Sequence, residues 1–186
     1  MTFINLFENK DVASVSMKER QKPLTEQYMK NAESATVLDF AETSSDWSDI
    51  TNPLATMVKI DKSEELTKVG VHQAVGGDSD NPTPGDILCG ALASCLDSTI
   101  RVISNRFGLQ LRHLKIQVIG KVDVRGTLRV DRTVPVAFTE FDVIIDIKAK
   151  GFVPSKYLDK LIEGAEQSCI VMQTLKPACE IRLTRK

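Results

Sequence analysis

The sequence contains no C-x-x-C pair among its four cysteines and has only two histidines in 186 residues. The first absence removes ordinary zinc-ligand spacing, and no metal is expected. The second leaves little material for the Cys-His-Asp/Asn constellation of a thiol hydrolase or transferase, and no such spacing is evident. Neither sign of charge is in excess: 24 Lys and Arg stand against 25 Asp and Glu. Such a balance offers no field that would draw the chain to nucleic acid or to an anionic membrane. The opening stretch from Met1 to Lys10 has too short an apolar segment and no basic leader, and no later run reads as a membrane span. A cytoplasmic location is therefore the expectation. Internal repeats and low-complexity segments are also lacking.

What is there suits a globular protein. With 42% hydrophobic side chains the chain can bury a sizeable core. Residues 1–50 differ from the rest in being rich in Lys, Glu, Ser and Thr, and read as an N-terminal extension with a short helix over 24–35 and with Trp47 packed on the domain of residues 51–186. Within that domain, 55–60 and 66–75 read as a hairpin, and Gly76 to Gly85 as a loop. A long helix follows, with Thr83 as N-cap, Pro84 in its first position, Asp86 closing a capping box and Gly108 ending it. From Ile87 to Ile100 its polar side chains are Asp97 and a few hydroxyls, so it belongs at the centre of a core and is covered on more than one side. Residues 113–124 and 141–148 alternate as strands, joined by a polar connection. A helix from Ser155, a short helix over 169–175 capped by Ser168, and a strand over 178–183 complete the chain. The order ββ-α-ββ-αα-β is α+β and mainly antiparallel.

Cys95 falls in the middle of the apolar helix, among small residues that allow close approach. Cys169 falls at a helix start, where unpaired N–H groups favour a thiolate and lower the thiol pKa. On pattern alone the reading of each as a small buried core residue is the better one, and composition does not decide the matter. Cys89 lies about 120° around the helix from Cys95 and Cys179 alternates with Ile181 and Leu183; both read as structural.

The run Thr83-Pro-Gly-Asp-Ile-Leu-Cys-Gly-Ala-Leu-Ala-Ser-Cys95-Leu resembles the signature of the OsmC/Ohr superfamily, with a cysteine eleven positions after a helix-opening proline. Phe138 to Ile147, Leu158 to Cys169 and Val171-Met-Gln-Thr-Leu175 look like that family's second half. The resemblance implies a mainly antiparallel sheet wrapped around long central helices in an intertwined homodimer. It also implies a cysteine-based peroxidase, active in oxidative-stress defence, that reduces organic hydroperoxides. Cys95 would be the thiolate that attacks peroxide, Cys169 the thiol that condenses with its sulfenic acid, and a dithiol or lipoyl-type protein the external reductant, without metal or flavin. The sequence departs from the family at two places. Gly85 stands where its well-studied members carry glutamate, leaving Asp86 as the nearby carboxylate, catalytic or merely a cap. No arginine occurs between Arg20 and Arg101, so the activating cation is sought in Lys68, His72, Arg101 or a second subunit. The rival reading is a non-catalytic ligand-binding or scaffold member of the same fold.

Overall fold

The computed structural model describes residues 16–186; the opening stretch read for a leader, and the first part of the extension, lie outside them. Helix α1 (Met17–Lys30) is capped by the Ser16 side chain, which accepts from the Glu19 N–H. It starts well before the expected 24–35 helix and carries Pro23 inside. Three short strands follow, β1 (Ala41–Thr43), β2 (Ala55–Ile60) and β3 (Thr67–Gly70), paired antiparallel in the order β1-β2-β3. Trp47, in the connection between β1 and β2, is half-buried. The hairpin of β2 and β3 matches expectation except at its end. The strand expected through residue 75 stops at Gly70, because His72 caps a 3₁₀ turn over Gln73–Val75 that closes at Gly76 with φ +92°. A local side-chain cap there outcompetes the alternating apolar pattern.

Helix α2 (Pro84–Arg106) has the expected capping box: the Thr83 hydroxyl accepts from the Asp86 N–H, and the Asp86 carboxylate accepts from the Thr83 N–H. Leu92, Leu96 and Ile100 recur every fourth residue and are completely buried, each worth about 2 kcal/mol of transfer free energy. By length and composition alone this helix could cross a membrane, at 23 residues and a mean hydropathy of 1.5 over its most apolar window. That corrects the reading that no run approaches a span. Its buried stripe lies against a second sheet, and 22% of that window is buried in the single chain.

That sheet comprises β4 (Leu111–Val122), β5 (Phe138–Ala149) and β6 (Glu180–Arg185), in the order β4-β5-β6. Along β5 Phe141, Val143, Ile145 and Ile147 face the core and the intervening residues face away, as the two-residue period requires. Gly120 of β4 is needed beneath the stacked rings of Phe138 and Phe141, since a β-carbon there would lie 2.7 Å from the Phe138 ring. The link between β4 and β5 contains a single helical turn, α3 (Val124–Thr127), where a plain polar connection was expected. The last strand, β6, pairs parallel to β5, whereas the other three ladders are antiparallel. Helices α4 (Ser155–Ser168) and α5 (Ile170–Leu175) return the chain to the same end of the sheet, which a parallel pairing demands. The fold is α+β, with antiparallel and mixed sheets.

Candidate functional site

Helix α2 packs on both α4 and α5, and the two cysteines singled out in the sequence meet there. Cys95 lies beside the buried stripe of α2 and is half-buried. Its carbonyl, besides serving the helix, accepts from the hydroxyls of Ser98 at 2.9 Å and Thr99 at 2.7 Å. Cys169 is completely buried. It is the single residue between α4 and α5, with extended φ −78° and ψ 107°, and serves as C-cap of one helix and N-cap of the other. The short helix thus begins at Ile170, with Cys169 itself as its cap where Ser168 was expected.

The electrostatics of Cys169 reverse the sequence expectation. Burial pushes its thiol up to about 11; the Met172 N–H opposes this, hydrogen bonding and charge from the Cys95 side chain push it further up, and the Val171 N–H again opposes it. The amides at the start of α5 do favour a thiolate, but desolvation is the larger effect. The two cysteines are therefore neighbours in direct electrostatic communication, with Cys169 held as the neutral thiol. Above the ordinary thiol pKa of 9.0 the unfolded chain releases the Cys169 proton while the folded chain retains it up to about 11. The folded state then binds more protons, and stability falls as pH rises through that window. Urea titrations of the reduced protein across this range should show the loss, and Cys169→Ala should show a smaller one. Equal slopes in the two proteins would rule out a raised thiol.

The break between α4 and α5 is tied on its outer side. The Gln173 side-chain amide donates to the Glu166 carbonyl at 2.8 Å, and the Lys176 ammonium reaches the Glu166 carboxylate at 2.6 Å. Gln173 of α5 and Lys176, its C-cap, are three apart and lie on the same side. On the inner side, Ala165, Cys169 and Met172 are completely buried. Sequence reasoning did not single out these outer residues, because a glutamate and a lysine ten positions apart across a helix break have no periodic signature.

The other expected site residues lie elsewhere. The Asp86 carboxylate is engaged by Thr83, whose N–H and hydroxyl both donate to it at 2.8 Å. These two bonds hold its pKa below the usual carboxylate range, with burial opposing and the His72 charge assisting. His72 accepts from the Ala74 N–H through Nδ1 at 3.0 Å. Asp86, His72 and Cys89 line a cleft of about 1580 Å³ whose walls include Val118 and Phe138 but neither Cys95 nor Cys169. Burial, the largest influence, pushes the Cys89 thiol up, while the Gly120 N–H opposes it. Lys68 lies 3.9 Å from Asp80. Arg101 is held by Asp97 one helical turn earlier, at 2.5 Å. Cys179 donates to the Phe138 carbonyl at 3.0 Å, and His113 pairs with Asp146 across two strands at 3.1 Å. Gly85 has its own reason to lack a side chain, since a β-carbon there would lie 3.0 Å from the Phe138 ring. Among the described residues no three His, Cys, Asp or Glu side chains converge as a metal site.

Comparison with known proteins bears on the same part of the chain. Residues 76–184 match the family described as OsmC-like protein. The chain is 24% identical over 127 residues to the protein YmaD of Bacillus subtilis, itself described as uncharacterized, covering 67% of this chain and 80% of that one. Among solved structures, an OsmC-like protein of unknown function from Vibrio cholerae superposes with a TM-score of 0.67 at 12% identity, covering 81% of this chain and 100% of that one. An organic hydroperoxide resistance protein from Elizabethkingia anophelis gives 0.62 at 16% identity, covering 82% of this chain and 97% of that one. At such identities the structural likeness speaks to the fold.

Proposed function

Because the chain belongs to the OsmC-like protein family, we propose that it is a homodimeric, cytoplasmic thiol peroxidase that reduces organic hydroperoxides with Cys95 and Cys169. The observation that carries this reading is the packing of α2, with Cys95 at its middle, on α4 and α5, with Cys169 at the break between them; the burial of Cys169 and the influence of the Cys95 side chain on its thiol agree with that placement. The environments also divide the roles. Cys169 is buried and held protonated, which makes it a poor first nucleophile. Cys95 is partly accessible and is the sulfur a peroxide can reach.

In the proposed cycle the Cys95 thiolate attacks the distal oxygen of ROOH. The O–O bond breaks, the alkoxide takes a proton and leaves as ROH, and Cys95 becomes a sulfenic acid. The Cys169 sulfur then displaces the hydroxyl as water, giving the disulfide. A dithiol, free or as a lipoyl-type protein, returns both thiols to the reduced state. No metal or flavin takes part. Asp86 serves as the cap of α2, and any part in catalysis would pass through the position of that helix. The reading is tested by treating the reduced protein with organic hydroperoxide and mapping peptides by mass spectrometry, where a link between those of Cys95 and Cys169 is expected.

One observation favours the non-catalytic reading. Lys68 and Arg101 each face a carboxylate of their own, and His72 lines the same cleft as Asp86, away from Cys95 and Cys169. In a dimer the second copy is a further source of a cation for Cys95. If a cation of this chain does act, replacing Lys68, His72 or Arg101 one at a time slows the peroxide reaction in one of the three.

A further inference from the structure

We propose that Glu166 is a positioning residue that, through Lys176 and Gln173, sets the α4–α5 break so that Cys169 reaches the oxidised Cys95 before a second peroxide does. The inference rests on the peroxidase reading and adds to it the element that controls its second step.

Closing a disulfide brings two sulfurs to about 2.05 Å, nearer than any non-bonded contact allows, so one cysteine must move. Cys95 sits in the middle of a 23-residue helix, with hydrogen-bonded turns on both sides. Cys169 occupies a one-residue extended break between helices of 14 and 6 residues. The motion therefore belongs to Cys169 and to α5 behind it. A six-residue helix is too short to hold its own shape or direction. Met172 holds its inner side in the core. On its outer side both ties run to one residue, from Gln173 to the Glu166 carbonyl and from Lys176 to the Glu166 carboxylate. The first also satisfies a carbonyl that the last turn of α4 would otherwise leave without a helical partner. The Glu166–Lys176 pair is only partly exposed, with about a third of each side chain accessible.

Two reactions compete for the sulfenic acid. In resolution Cys95–SOH and Cys169–SH give the disulfide and water. In over-oxidation Cys95–SOH and a second ROOH give the sulfinic acid and ROH. Loosening the ties slows the first and leaves the second unchanged. The test is a titration of reduced wild type and of the Gln173→Leu/Lys176→Met variant with cumene hydroperoxide, with disulfide and sulfinic acid quantified by mass spectrometry. At a fixed excess of peroxide the ratio of sulfinic acid to disulfide should rise about five-fold in the variant, a scale set by a partly exposed ion pair and a hydrogen bond. The rate of the first oxidation should be unchanged. The charge-exchanged variant Glu166→Lys/Lys176→Glu, with Gln173 kept, should return most of the wild-type ratio. Should the double variant not fold, Lys176→Met alone carries the test. A variant that melts earlier yet keeps the wild-type ratio makes the cluster merely structural and overturns the proposal alone. A wild-type protein that forms no disulfide overturns the peroxidase reading and this inference with it.

Discussion

Cys95→Ser is expected to bring peroxide turnover down to the uncatalysed background, whereas Cys169→Ser should reduce one equivalent of organic hydroperoxide at the wild-type rate, consume a second only as Cys95 over-oxidises, and show no sustained turnover. The asymmetry follows from the surroundings of the two thiols. Cys95 makes the attack, so without it there is no nucleophile. Without Cys169 the attack still occurs, but the sulfenic acid has no thiol beside it and a second peroxide carries it to sulfinic acid. Single-turnover consumption of cumene hydroperoxide, with the mass of the Cys95 peptide read afterwards, separates the two variants. If wild-type protein retains four free thiols, as in the reduced structure, after excess organic hydroperoxide, that would falsify the enzymatic reading and leave the ligand-binding or scaffold alternative in its place.

In sedimentation at micromolar concentration the protein should have twice the mass of its chain. Helix α2 buries Leu92, Leu96, Ile100 and Ser104 as one stripe, while Gly90, Ser94, Ser98 and Arg101 recur along another and stay exposed in the single chain. Small side chains let a second helix approach closely, and only 22% of the most apolar window of α2 is buried in the single chain, which leaves apolar surface for a second copy to cover. Large apolar side chains are also left in solvent elsewhere, among them Phe107 at 82%, Ile170 at 75% and Phe152 at 94% exposure. Ser94→Arg would put a long charged side chain on the exposed stripe of α2. The expected result is a shift to the monomer mass together with a loss of peroxidase activity, because Cys95 is on the same helix one residue away. A wild type that remains a soluble monomer would remove the dimeric arrangement from the proposal.

How much of this could be seen beforehand depended on whether a feature is local. The capping box of α2 was legible because Thr83, Pro84 and Asp86 act within one turn, and nothing distant competes with them. The faces of α2 and β5 were legible because periods of four and two residues report burial directly. The end of β3 was not, since the apolar alternation runs on past Gly70 and only the His72 cap and the Gly76 turn stop it. The parallel pairing of β6 was not legible either: nothing in Glu180 to Arg185 encodes the direction of its neighbour.

For the site, the residues of the two thiol motifs could be chosen from the sequence, but not their chemistry. The expectation for Cys169 used a local rule, that a helix start lowers a thiol pKa, and the local effect is present in the Met172 and Val171 amides. It is outweighed by burial, which depends on how α2, α4 and α5 pack and so on residues far away in the chain. The three candidate cations were likewise chosen by position in sequence; the fold places Lys68 by Asp80, whereas the Arg101–Asp97 pair is an i,i+4 contact on α2 that the helical period already contains. The α+β order of elements, the cap and buried stripe of α2, and the family are all written in neighbouring residues and can be read there. That Cys95 and Cys169 are neighbours, that Cys169 holds its proton, and that Gln173 and Lys176 tie back to Glu166 across the break emerge only with the fold, because desolvation and contact depend on how the helices pack.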